Sequence, residues 1–333
     1  MVINSIYKTI VMNKKTLLGI AVLLILLCGI YLITKPKENE YLKLGIFLFT
    51  EHKVINEINS GFKNELKKLK INDSLVIIEK NANGDQLQLE FISEHFINGN
   101  YDAIFVVGAP AIKILKDKKC QTPVIFGGPP FPVKSGFVPS IKGHNTNFTG
   151  TTYTPPTKEI LDVFLKGFKE ADRVAVLRNP AEPNSESVAS SFIKHAEYRN
   201  IDIIDLPSTD GASVDAALRT LRQKKVDGLF IPTDNLVYSM LGKVINSASE
   251  FNIPVFSCTK VSVQKGALFS LGTDYFTVGE HTAPIVANIL NKKFLPNEID
   301  VVEIGTGKIY LNIKNSMAVL IDENDLYKIE IVK

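Results

Sequence analysis

Signatures of catalysis are missing from this chain of 333 residues. The histidines at 52, 95, 144, 195 and 281 show no H-x-x-x-H or H-x-x-E spacing for a metal site. No G-x-S-x-G nucleophile elbow occurs, and no G-x-G-x-x-G follows the first strand, which excludes the common hydrolase and dinucleotide-enzyme patterns. Gly305-Thr306-Gly307-Lys308 has the end of a phosphate loop, but Val302 stands where its first glycine belongs, and a strand follows instead of a helix. With no nucleophile–base pair to name, the expectation is a protein that is not an enzyme and holds no cofactor or metal.

Cysteine and net charge are also scarce. Three cysteines without a C-x-x-C cannot all pair within the chain; Cys28 lies in an apolar leader, and Cys120 and Cys258 are expected as free buried thiols. A formal net charge of +3 with no long basic run gives no electrostatic footprint for nucleic acid. Low-complexity segments and repeats are absent, and a hydrophobic share of 45% is that of a globular chain.

What is present begins with the leader. Thr16 to Thr34 carries no charge, follows Lys8, Lys14 and Lys15, and precedes Lys35 and Lys37. A membrane-spanning helix needs roughly 20 apolar residues and a cleavable signal only roughly 7–15, so this run reads first as an uncleaved anchor. A cleaved signal and a lipid anchor at Cys28 are the alternatives, although Leu26 and Leu27 fill places where a lipobox wants small residues. The basic flank places the N-terminus in the cytoplasm and the globular part outside, tethered to the cytoplasmic membrane in a bacterial periplasm or at the cell exterior.

Beyond a polar tether, short apolar runs alternate with helical periodicity, predicting α/β architecture: two doubly wound parallel-sheet lobes joined by a hinge. The boundaries expected are a basic segment at 1–15, the anchor or signal helix at 16–34, a first lobe at 41–150 with part of 276–333, and a second at 151–275 with part of 300–333. The segment Val174 to Ser185 shows the unit: a strand at Val174–Leu177, an elbow broken by Pro180 and Pro183, and Ser185 as a candidate helix cap. A helix is expected from about Val237 to Phe251.

Ligands of open α/β sheets bind outside the carboxyl ends of the strands. That rule selects the elbows at Thr50–His52, Gly108–Pro110, Gly127–Pro130, Asn179–Ser185, Thr233–Asn235 and Gly272–Tyr275, facing one another across a closing cleft. Asp234 and Asp274 could receive a ligand ammonium there, since a buried carboxylate needs a cation or several donors; either could equally cap the next helix. Glu51 could act from the first lobe or be a solvated loop residue, while Tyr153 and Tyr275 could stack on a ligand or simply pack.

An ordered set of motifs then carries a resemblance. N-P-A-E-P-N-S from Asn179, V-D-G-L-F-I-P-T-D-N from Val226, I-P-V-F-S from Ile253, V-Q-K-G-A-L-F-S-L-G-T-D-Y from Val263 and G-E-H-T-A from Gly279 occur in sequence. F-T-E-H at Phe49, V-G-A-P-A at Val107 and N-F-T-G at Asn147 agree more loosely. Over about residues 42–320 the chain resembles the tryptophan/tyrosine-type ABC transporter substrate-binding proteins, which have a type I periplasmic-binding-protein fold. The resemblance implies capture of a small amino-acid-like ligand, aromatic amino acids included, and delivery to an ABC transporter permease. It implies Asn184, Ser185 and their helix N-terminus for a carboxylate and Asp234 or Asp274 for an ammonium. Asn235 and Glu51 would add hydrogen bonds and Tyr153 apolar cover, with Gly108, Asn179 and Tyr275 completing the candidate set. Phe131-Pro132 replaces the Asp-Pro usual after the fourth strand, a departure that bears on ligand preference. A membrane-anchored sensor read by a partner protein is the alternative function.

Overall fold

The computed structural model describes residues 17–26, 41–71, 75–305, 307–312 and 328–332. By contacts the chain divides into Met1–Tyr41 and Leu42–Lys333. In the first unit, residues 17–26 are helical with their side chains exposed. No helix among the described residues is long and apolar enough to cross a membrane. The rest of the Thr16–Thr34 run, Cys28 included, lies outside the described residues.

The second unit contains two sheets. In chain order the strands are β1 (Lys43–Leu48), β2 (Val76–Asn81), β3 (Ala103–Val107), β4 (Val124–Pro130), β5 (Phe148–Tyr153), β6 (Arg173–Arg178), β7 (Asp202–Pro207) and β8 (Gly228–Ile231). They continue with β9 (Val255–Ser257), β10 (Phe269–Gly272), β11 (Val302–Glu303), β12 (Lys308–Asn312) and β13 (Lys328–Val332). The six-stranded sheet runs β11-β5-β4-β3-β1-β2 and the seven-stranded sheet β13-β12-β10-β9-β8-β6-β7. All pairings are parallel except β10 with β12.

The helices in chain order are α1 (Lys53–Lys68), α2 (Gln86–Asn98), α3 (Ala109–Asp117), α4 (Thr157–Gly167), α5 (Pro183–Tyr198) and α6 (Gly211–Lys224). α7 (Asn235–Ser239), α8 (Leu241–Ser249), α9 (Lys260–Gln264) and α10 (Tyr275–Leu290) follow. Helices cover both faces of each sheet, so most central strands are apolar throughout. In β6, Val174 and Val176 enter one core while Ala175 and Leu177 enter the other, because successive side chains point to opposite faces.

The chain passes between the sheets at 153–157, 272–275 and 303–308, so each lobe is discontinuous in sequence. The second passage returns α10 to the first lobe, where it packs on α1. Two glycines permit that crossing: a Cβ on Gly279 would lie 2.0 Å from the Ile58 carbonyl oxygen, and one on Gly61 would lie 2.0 Å from that of Phe276.

Two local expectations change, and one strand forms where none was expected. Helix α5 starts at Pro183 with Glu182 as its N-cap, and Ser185 lies inside the first turn, its hydroxyl donating to Asp234. Proline suits that first position because the N–H it lacks would be unpaired there. The helix expected over Val237 to Phe251 is two helices with Met240 between them; the first is capped by Asp234 and starts earlier. Phe148–Tyr153 forms a fully buried strand although its centre, Thr149 to Thr152, carries little hydrophobic signal.

Candidate functional site

A cleft lies where the strand ends of the two lobes converge. The first lobe contributes His52 and the start of α1, with Gly108, the turn before α3, and Gly127 to Pro130 after β4. The second contributes Asn184, Thr233, Asp234, Asn235 and Tyr238; Tyr153 and Tyr275 line the cleft where the chain crosses. Gly108 has φ 105°, a conformation that strongly favours glycine, and a Cβ there would press to 2.5 Å from Phe49 Cβ.

Two buried carboxylates organise the second-lobe wall. Asp234 is 1% exposed; it accepts the backbone N–H of Asn179 at 2.5 Å, the Ser185 hydroxyl at 2.6 Å and the Val237 N–H at 2.8 Å. It therefore closes the N-terminus of α7 and ties it to the elbow before α5. Glu182, 4% exposed, accepts the N–H groups of Asn235 at 2.9 Å and Leu236 at 3.2 Å. It also receives side-chain amides from Asn179 at 3.2 Å, Asn184 at 3.4 Å and Asn235 at 2.5 Å. Burial, reinforced by the neighbouring charge of Asp234, pushes Glu182 up to about 7. Burial likewise raises Asp234, against the hydrogen bonds that favour its charged form.

Across the cleft, His52 Nε2 and Asn235 Oδ1 are 2.9 Å apart. The Asn235 amide spends its donor end on Glu182, so its oxygen accepts and His52 Nε2 donates. Burial holds the imidazole below its ordinary value, and the neutral ring then has a lone pair on Nδ1. That Nδ1 and Asn184 Oδ1 are buried atoms without a hydrogen-bond partner among the described residues. Asn184, 7% exposed, gives its Nδ2 to the Thr233 carbonyl at 2.6 Å, which leaves the oxygen end as the free acceptor.

The opposite electrical character faces them. Helix α1 begins at Lys53 behind His52, which makes no side-chain cap, and its first turn carries no acidic residue. Val54 and Ile55 belong to that turn and line the cleft. Their backbone N–H groups cannot be reached by the helix's own carbonyls, and the partial positive charge of a sixteen-residue helix ends there. Around this polar pair the wall is apolar and aromatic. The Tyr153 and Tyr275 hydroxyls meet at 2.6 Å with rings perpendicular, and burial raises both phenols, so they stay neutral.

Of the residues expected from sequence, Gly108, Tyr153, Asn184, Asp234, Asn235 and Tyr275 line the cleft. Glu51, Asn179, Ser185 and Asp274 do not. Glu51 is exposed to solvent. Asn179 gives its backbone N–H to Asp234 and its side-chain amide to Glu182, and the Ser185 hydroxyl turns inward onto Asp234. Asp274 caps α10, accepting the N–H groups of Phe276 at 3.0 Å and Thr277 at 3.3 Å. Sequence reasoning missed Glu182, His52 and Tyr238. Glu182 lies within the quoted N-P-A-E-P-N-S motif and His52 in a selected elbow, so both were visible but unassigned. Cys120 and Cys258 are free and buried. Among the described residues no group is placed to hold a metal ion.

A family model described as ABC transporter substrate binding protein matches residues 43–329. The chain belongs to that family. Its members are solute-binding proteins that act outside the cytoplasm and are not enzymes, and the two-lobe fold is of the type I periplasmic-binding kind. The chain is 26% identical over 280 residues to a tyrosine-binding protein of Clostridioides difficile, covering 84% of this chain and 81% of that one. Among solved structures, a Streptococcus pneumonia ABC domain in complex with L-Trp aligns with a TM-score of 0.78 at 22% identity, covering 83% of this chain and 94% of that one. A ligand-free, open substrate-binding protein with adhesive properties from Clostridium difficile aligns with a TM-score of 0.63 at 25% identity, covering 88% of this chain and all of that one.

Proposed function

We propose that this protein captures a zwitterionic aromatic amino acid in the interlobe cleft and delivers it to an ABC importer. The observation that carries the reading is the pairing of unlike ends. Asn184 Oδ1 and His52 Nδ1 offer lone pairs to an ammonium group, and the uncapped start of α1 offers N–H groups to a carboxylate. This assigns charges differently from the sequence expectation. The Ser185 hydroxyl donates to Asp234, which also takes the Asn179 and Val237 N–H groups, so we assign the ammonium to Asn184 and the carboxylate to the first lobe.

Tyr153, Tyr238 and Tyr275 with Pro129, Pro130 and Ile58 give the ligand side chain an apolar, aromatic surround. The relatives named for tyrosine and L-Trp support an aromatic amino acid. Contacts between lobes support closure by hinge motion: besides His52 with Asn235, Lys53 donates to Gln264, and Lys134 Nζ donates to the Ser187 carbonyl at 3.2 Å. The higher TM-score to the L-Trp complex than to the open ligand-free protein supports the same arrangement. The leader, with its basic flank, would tether the protein at the outer face of the membrane.

A thermal-shift panel on the full chain tests the reading. L-tyrosine or L-tryptophan should raise the melting temperature in a saturable way, since a ligand that binds only the folded state stabilises it by mass action. A panel in which polyols or nucleosides shift the transition and amino acids do not would reject it.

A further inference from the structure

Both asparagines on the second-lobe wall of the cleft are held from behind by the same carboxylate. Glu182 does not itself line the cleft. Five N–H groups converge on it, from Asn179, Asn184, Leu236 and, twice, Asn235. The two backbone bonds, from Asn235 and Leu236, would suffice to cap α7. The three side-chain amides are additional, and two of them belong to residues that face the ligand space.

An asparagine amide has one donor end and one acceptor end, so fixing the first fixes the direction of the second. Asn184 commits Nδ2 to the Thr233 carbonyl and to Glu182 Oε2, which turns Oδ1 into the cleft. Asn235 commits Nδ2 to Glu182 Oε2, which turns Oδ1 toward His52. A carboxylate is well suited to this because, when ionised, it only accepts. Every polar neighbour must then direct its donors inward and its acceptors away.

We infer that Glu182 is a positioning residue that sets the hydrogen-bonding polarity of the cleft, presenting the Asn184 oxygen to the ligand ammonium and the Asn235 oxygen to the His52 latch. The inference rests on the amino-acid reading of the cleft and adds a residue that acts without touching the ligand. A glutamine at this place has the same shape but brings a donor end of its own. One of the two asparagines then gains by flipping, and a flipped Asn184 presents N–H groups to an ammonium.

The test compares the unsubstituted full chain with Glu182→Gln by titration calorimetry at about pH 8, where Glu182 is ionised, using L-tyrosine and 3-(4-hydroxyphenyl)propionate, which lacks the ammonium. The variant should bind L-tyrosine at least about tenfold more weakly, while the des-amino compound changes by less than about threefold, so that selectivity for the amine falls. Glu182→Ala should lose L-tyrosine binding as well, and a second carboxylate, Glu182→Asp, should recover part of the selectivity. A ligand-free readout runs beside it. The side-chain amide NMR signals of Asn184 and Asn235 should move in Glu182→Gln, while those of Asn59, which donates to Glu79 in the first lobe, stay in place. Equal weakening of both compounds, or unmoved Asn184 and Asn235 signals, overturns the inference. If the unsubstituted protein binds neither compound, the amino-acid reading fails instead, and the amide signals alone decide the positioning role.

Discussion

His52 Nε2 and Asn235 Oδ1 meet at 2.9 Å across the cleft, joining the entrance of α1 in one lobe to the first residue of α7 in the other. The bond has a defined direction, because Asn235 is oriented by Glu182 and only its oxygen is free. The imidazole edge also meets the Tyr238 ring at 5.9 Å. The contact holds a titratable group in a buried place, and burial favours its neutral ring.

Ligand affinity should accordingly depend on pH. Burial lowers His52, so under the proposed hinge closure the closed state releases a proton that an open cleft would hold. Affinity for L-tyrosine is expected to be full above the ordinary histidine value of about 6.5 and to fall as pH drops through it. His52→Gln, which can still donate but does not titrate there, should flatten that profile in calorimetry from pH 5 to 8. A slope unchanged in the variant would remove His52 from the closure equilibrium.

Asp234→Ala should be a stability variant before it is a binding variant. It strands the Asn179 N–H, the Ser185 hydroxyl and the Val237 N–H in a buried place. A loss of about 2–4 kcal/mol in urea unfolding is expected, the range for breaking a buried network. Unchanged stability with abolished ligand binding would restore Asp234 as an ammonium anchor.

Glu182 gives a second pH signature, of opposite sense. Its folded-state value is raised to about 7 by burial and by Asp234. The native state thus binds a proton that the unfolded chain has released above its ordinary carboxylate value. Stability from this group is full below that value and is lost as pH rises toward about 7. Chemical denaturation of Glu182→Gln between pH 4.5 and 7.5 should show a shallower decline than the parent. A slope identical to the parent's would show that Glu182 does not hold the proton.

The α1–α10 crossing can be probed away from the cleft. Gly279→Ala places a Cβ at 2.0 Å from a backbone oxygen, which cannot be relieved by a side-chain rotation. The helices must separate, at a destabilisation of about 1–3 kcal/mol measured by thermal unfolding. Gly242→Ala, where a Cβ would meet nothing within 4 Å, serves as the control and should be neutral or stabilising.

The alternation of strand and helix was legible because most central strands are continuous apolar runs, as at Val174–Leu177 and Ala103–Val107. Phe148–Tyr153 escaped because its threonines are buried through hydrogen bonds, such as Thr151 with Thr282 at 2.7 Å and Thr152 with the Pro129 carbonyl at 2.7 Å, and not through hydrophobicity. The strand-end rule found the elbows that form the cleft. It could not tell which polar residues face it, because that depends on partners distant in sequence: Ser185 turns away onto Asp234, and Asn184 turns outward because Thr233 and Glu182 take its amide. Asp234 and Asp274 look alike at their strand ends, yet one is buried in a network and the other is an exposed cap.

The most direct test of the account is a crystal structure of the protein with L-tyrosine. The account predicts the ligand carboxylate at the start of α1, within hydrogen-bond reach of the Val54 and Ile55 N–H groups. Its ammonium should lie on Asn184 Oδ1 and His52 Nδ1, with the ring among Tyr153, Tyr238 and Tyr275. A ligand bound with its charges reversed, or seated outside this cleft, would contradict it.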